Sequence, residues 1–366
     1  MPKILNNGFL FLKDFRIGKI LKPLAFFIPL AIAGNVTYIL LVSRPHILKD
    51  LIKFRAGYLI LAVILAFVPW LTHTLRLLLW SRAFQNHLKP IQALKTAVAT
   101  DLGNAITPTS TGGGYFKLGF LIGHGFAPGE AALITFLGTI EDALFFLISL
   151  PVALILSHAW DHPYVTAAFK NLISYWPVVV AVIVLIVIGY IIFIRWGKRP
   201  FGEHPEIDGK RPGLTARIRT GFHKYLSEFI LASRFVIKSG KITLGICTIL
   251  AGIGWSSRYG AVSALILGLG FNVNLVLFFL LQWVVFSTMI LVPTPGAIGG
   301  AEMTFAVVFS GTVPGAILPI LIGAWRFVTF YMPVGTGAII MAISGAGRSA
   351  RSANGSGRII LEEIKS

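Results

Sequence analysis

The chain has 366 residues, 55% of them hydrophobic and 13% charged, where an ordinary soluble protein carries about 25% charge. Mean hydropathy is +0.80, and 32 Lys and Arg stand against 14 Asp and Glu. These values exclude a set of water-soluble domains and indicate an all-α, polytopic membrane helix bundle with its basic excess in loops and ends. A single Cys, Cys247, excludes an internal disulfide and any cysteine-rich zinc or iron–sulfur site.

A helix needs about 20 apolar residues to cross a hydrocarbon core of about 30 Å. Seven runs qualify: 24–42, 58–79, 131–156, 176–194, 242–269, 273–292 and 316–343. In the first, Ala31-Ile32-Ala33 before Gly34 has the pattern of a signal cleavage site, but the apolar stretch runs on to Val42, longer than a signal's apolar region. It is read as an uncleaved span. Two further stretches, 91–122 and 298–313, are interrupted by Gly, Pro and Thr and predict broken or re-entrant segments.

The first 22 residues hold five basic residues and one acid, and 195–241 holds eleven basic and four acidic, so both are expected on the cytoplasmic side. The organisation expected is a basic N-terminus (1–22), a first membrane half (23–194) broken at 91–122, and a basic linker (195–241). A second membrane half (242–344), broken at 293–313, and a flexible basic tail (345–366) follow. Two charge distributions resist this scheme. The 44–56 loop carries four basic residues yet falls outside, and seven crossings leave the basic tail outside too, which an eighth crossing within a broken segment repairs. The expectation is seven or eight spans. Within the linker, 214–238 mixes apolar and basic residues at helical spacing; it suits either an anionic leaflet or a solvated face packed on the bundle.

The breaks repeat. Gly113-Gly114 is followed fourteen residues later by Pro128-Gly129, and Gly299-Gly300 at the same spacing by Pro314-Gly315, all four at a shift of 186. Thr107-Pro108-Thr109 then faces Pro293-Thr294-Pro295. Breaks at matching points in two halves mark the binding site of many transporters, and a Gly-Gly turn opening a half-helix offers N–H groups to an anion. An internal repeat is therefore expected.

Charges at membrane depth cost about 2.5–3.5 kcal/mol each on insertion scales, so they face a cavity or a partner. Those within the spans are Arg76, Glu141, Asp142, Arg258 and Arg326, with Lys117 and Glu302 at the breaks. One reading pairs them, Arg326 with Glu302 for example, to hold the bundle together; the other has them contact a polar headgroup. Arg76, near the end of its span, can also snorkel to the interface. The candidate substrate-binding set is Gly113, Gly114, Lys117, Glu141, Asp142, Pro295, Gly299, Gly300, Glu302 and Arg326. In it, half-helix N-termini and Arg326 or Lys117 take phosphate, and the carboxylates take a cationic or hydroxyl-bearing group. No nucleotide-loop spacing, metal-ligand cluster or catalytic grouping stands out, so no cofactor, no nucleic acid and no enzymatic activity are expected.

The second break, Pro293-Thr294-Pro295-Gly296-Ala297-Ile298-Gly299-Gly300-Ala301-Glu302, resembles the Pro-Gly-Gly-Ile-Gly-x-x-Glu signature of the lysylphosphatidylglycerol synthase transmembrane (flippase-like) family. Trp325-Arg326 with Tyr331 resembles that family's Arg-containing helix. Pro108, Gly112, Gly113, Gly114, Lys117, Gly125 and Glu130-Ala131 resemble its upstream Gly-rich element. The resemblance covers residues 20 to 345. Lys117 stands where Arg is usual, Asp142 replaces the Arg after Glu141, and Ala297 replaces a Gly; these departures bear on the headgroup more than on the fold. The resemblance implies the membrane part alone, without the soluble synthase domain, in a bacterial inner membrane, moving an aminoacylated phosphatidylglycerol-like or polyprenyl-linked lipid. Two alternatives stay open: an integral-membrane transferase on lipid-linked substrates, and a non-transporting subunit that anchors a partner enzyme through 195–241.

Overall fold

The computed structural model describes residues 54–159 and 214–344, with scattered single positions between 29 and 188. Apart from those positions, the expected runs 24–42 and 176–194, the N-terminus, most of the 44–56 loop, the first part of the linker and the tail lie outside the described residues. What is described is helical, with no strand among those residues.

Helix α1 (Ala56–Ala83) carries Pro69 near its middle. Helix α2 (Pro90–Ile106) starts on a proline, whose missing N–H costs nothing at that position. A tight 3₁₀ turn (Pro108–Ser110) leads to the half-helix α3 (Gly112–Gly123), then to α4 (Pro128–Ser157). After the linker come α5 (Leu214–Ser239), α6 (Lys241–Gly268) and α7 (Leu275–Met289), the last capped by Asn274, whose side chain accepts the N–H groups of Val276 and Leu277. A second 3₁₀ turn (Pro295–Ala297) precedes the short α8 (Gly300–Phe309). Helix α9 (Leu318–Arg326) continues through a π turn (Phe327–Tyr331) as one helical rod to Ser344.

Among the described residues three helices are long and apolar enough to cross a membrane, α1, α4 and Leu318–Ser344; a fourth span arises if α6 is joined to Ser227–Ser239, from which it is bent by 90°. The outer faces carry exposed Leu147, Ile148, Ile155, Ile249, Ile253, Ile339 and Ile343. An apolar exterior around a charged interior suits a lipid solvent, where no hydrophobic force drives helix to helix and small residues let backbones meet. The α1–α6 contact shows this. A methyl group on Gly254 would stand 2.6 Å from Thr72 Oγ1, one on Gly260 3.6 Å from Leu65, and one on Gly268 2.6 Å from Phe54. The contacts ascend α6 as they descend α1, so the two helices run antiparallel.

The turns before α3 and α8 pack against each other. Thr107 and Thr294 enter them with φ −102°, ψ 144° and φ −107°, ψ 148°, and Thr109 and Gly296 then adopt left-handed backbone. This equivalence pairs Pro108 with Pro295, a shift of 187 rather than 186, because the Thr-Pro step sets the turn's geometry. At Gly296 the glycine is required twice over: φ is +62°, and a Cβ would meet Phe330 Cζ at 2.2 Å.

Helix α5 packs one face on the bundle. Ile230, Ala232, Ser233 and Val236 are buried, and Glu228 accepts the Gly129 N–H at 3.1 Å. Tyr225, Leu231 and Ile237 stay exposed. Cys247 is fully buried in α6, in an apolar cluster with Leu77, Trp80 and Leu137.

Candidate functional site

A cavity of about 410 Å³ lies among the middles of α1, α4 and α6, closed by α2 and α3. Its wall includes His73 and Arg76 from α1, Asp101 and Asn104 from α2, Gly114 and Lys117 from α3, Gly138 and Asp142 from α4, and Arg258 from α6. A smaller cavity of about 220 Å³, lined mostly by apolar groups with Arg326, Gly296 and Phe330, abuts it. The two share Asp101, Asn104, Trp255 and Arg258.

Arg76 does not snorkel. Its side chain is 12% exposed and turns inward: Nε donates to Glu141 Oε2, Nη2 donates to the Gly138 carbonyl at 2.9 Å, and Nη1 lies 3.1 Å from Asp142 Oδ1. Trp80 Nε1 donates to the other Glu141 oxygen. Glu141 is thus 1% exposed with both oxygens engaged, whereas Asp142 keeps a third of its side-chain surface. A buried carboxylate with this many donors holds its arginine in place.

Lys117 is 7% exposed and faces the cavity, and no hydrogen-bond or ion-pair partner is found for it among the described residues. A methyl group on Gly138 would stand 3.0 Å from Lys117 Nζ and 3.6 Å from Arg76 Nη2. The missing side chain is what lets two cations converge there.

At the second break the charges close on themselves. Arg326 Nε donates to Glu302 Oε1 at 2.8 Å, while Nη2 donates to Glu302 Oε2 and to the Ala297 carbonyl, each at 3.2 Å. The guanidinium also lies 5.0 Å from the Trp325 ring centre and 5.3 Å from that of Phe330. Glu302 Oε2 accepts the Gly299 N–H at 2.8 Å. The pairing of Arg326 with Glu302 that the sequence allowed is present, and it buttons α9 to the second turn, leaving Arg326 1% exposed.

Two of the half-helix N–H groups expected to meet an anion are taken as well. Gly112 N donates to Thr107 Oγ1 at 2.8 Å and Gly113 N to Asn104 Oδ1 at 2.9 Å. Of the candidate set, Gly114, Lys117 and Asp142 line the large cavity; Gly113 packs on Asn104; Glu141 backs Arg76; Pro295, Gly299, Gly300, Glu302 and Arg326 build the second break. Asp101 and His73 escaped the sequence reading. Asp101 accepts from Trp70 Nε1 at 2.8 Å and from Arg258 Nη2 at 3.4 Å. It is the sole acid in the broken stretch 91–122, which was the available signal.

Residues 26–337 match the family model described as lysylphosphatidylglycerol synthase TM region. The chain is also similar to a UPF0104 membrane protein of Archaeoglobus fulgidus, 24% identical over 298 residues, 78% of this chain and 86% of that protein.

Proposed function

The chain belongs to the lysylphosphatidylglycerol synthase transmembrane-region family, and from that premise we propose that it is a lipid translocase. The polar headgroup of a phospholipid or lipid-linked substrate crosses through the 410 Å³ cavity while the acyl chains stay in the bilayer. The observation that carries this is the cavity's position and lining. It sits at mid-length of three helices of 28 to 30 residues and is walled by Arg76, Lys117, Arg258, Asp101 and Asp142. Charge at that depth is costly unless it does something, and here much of it faces space large enough for a headgroup. The apolar neighbouring cavity gives the first acyl carbons a place beside it.

In this proposal the two Thr-Pro turns are the centres of an internal repeat, and their contact joins the halves. The protein is a multi-pass component of the plasma membrane, with the N-terminus and the basic linker on the cytoplasmic side.

The test is reconstitution. Purified protein in vesicles doped with headgroup-labelled phosphatidylglycerol or phosphatidylethanolamine should expose inner-leaflet label to an impermeant quencher, while protein-free vesicles protect half of it. Vesicles with and without protein giving the same plateau for every lipid would overturn the reading.

A further inference from the structure

The two breaks hold their charges differently. At the second, Arg326 spends its guanidinium on Glu302 and the Ala297 carbonyl. At the first, Lys117 sits in the half-helix α3 itself, with no partner among the described residues. An ammonium has three donors and no acceptor, and a buried polar group without a partner is costly. Its nitrogen opens on the polar cavity, where Asn104, Thr135 and Thr139 supply further hydrogen-bonding groups. Arg76 reaches the same spot from the other side of Gly138 but is already committed to Glu141 and to the Gly138 carbonyl.

The geometry points to Lys117, set over Gly138, as the seat for a phosphate-type oxyanion, with the second break acting as the fixed strut against which the first one works. This rests on the headgroup reading above and makes it specific. The seat reads the phosphate common to zwitterionic and anionic phospholipids, not the rest of the headgroup, and Arg326 has no part in it. Gly138 belongs to the seat because any larger residue would push its Cβ into the space that the ammonium occupies. Arg76 keeps Glu141 buried behind it, so an incoming phosphate meets Lys117 before it meets Glu141, while Asp142, paired with Arg76, shares the cavity wall.

The experiment is native mass spectrometry of the full chain in detergent, offered phosphatidylglycerol, phosphatidylethanolamine or diacylglycerol of matched tails, with inorganic phosphate as competitor. Wild type should retain both phospholipids and not diacylglycerol. Lys117→Met should lose both by at least about ten-fold, the loss of one hydrogen bond to a charged group. Lys117→Arg should keep them, and Gly138→Ala should weaken them with every charge still present. Displacement by millimolar inorganic phosphate would assign the seat to phosphate itself, and resistance to it to the lipid headgroup. Lys117→Met binding like wild type, or diacylglycerol binding like the phospholipids, would overturn the seat. The vesicle assay separates the two claims. Transport unchanged in Lys117→Met removes the seat and leaves the translocase, whereas lipid binding lost in Lys117→Met with no transport by wild type does the reverse.

Discussion

Thr109 and Gly296 occupy the same left-handed corner of backbone space, at φ 56°, ψ 15° and φ 62°, ψ 16°, in two Thr-Pro turns that touch. Glycine takes that conformation without strain, whereas a β-branched residue is an outlier there. At this corner the first turn stores strain that the second avoids, although Ala297, the next residue of the second turn, has φ 54° of its own. Replacing Thr109 by glycine should relieve it, a gain of about 1 kcal/mol after the entropy cost of the new glycine is subtracted. A thermal shift upward in detergent is the expected result; a clear fall would show that the Thr109 side chain holds the turn in another way.

The Arg326–Glu302 pair predicts a stability effect rather than a binding effect. Arg326→Met leaves Glu302 partly buried without its cation and the Ala297 carbonyl without its donor. Breaking such a pair from one side costs about 3–5 kcal/mol. Adding Glu302→Gln to that variant removes the stranded charge but keeps an acceptor for the Gly299 N–H, so it should recover part of the loss. Unfolding curves of the two variants beside wild type decide this, and a single variant as stable as its parent would make the pair idle.

Adjacent glycines should respond oppositely to the same change. A methyl group on Gly113 would lie 2.2 Å from Asn104 Oδ1 and 2.6 Å from the Thr100 carbonyl, against rigid backbone. One on Gly114 would meet Thr135 at 3.7 Å, an ordinary contact. Gly113→Ala is expected to cost about 1–3 kcal/mol by overpacking, and Gly114→Ala to lie within about 0.5 kcal/mol of wild type. Yield of folded protein and its melting temperature report both.

Asp101→Asn probes the wall between the two cavities. Both members of the Asp101–Arg258 pair are nearly a third exposed, so the stability cost should stay below about 1 kcal/mol. Arg258 then stands as an added unpaired cation beside the proposed headgroup path. A phosphate headgroup should be held more tightly, with translocation in vesicles a few-fold slower than wild type. Faster transport would place the pair in the role of a barrier.

The runs 58–79, 131–156, 242–269, 273–292 and 316–343 were legible because an apolar stretch in lipid has little choice but to be a helix. The breaks were legible because Gly and Pro interrupt a helix by known local means. The pairings were less so. Arg76 meets Glu141 across 65 residues and Arg258 meets Asp101 across 157. Which faces of α1, α2, α4 and α6 meet is decided by small residues such as Gly254 and Gly268, whose contacts involve no pattern of charge. For the same reason the sequence could place Lys117 and Glu302 at the start of the two half-helices without showing that Glu302 is paired with Arg326 while Lys117 is not.

Cys247 is the chain's single thiol and has no surface open to reagent. An engineered cysteine would therefore react against a silent background. Placed at Thr139 on the cavity wall, it converts a question about membrane sidedness into one of chemical delivery: from which side a charged, impermeant maleimide arrives. A cavity that faces each side in turn would be labelled to completion from either, and a fixed vestibule from one alone.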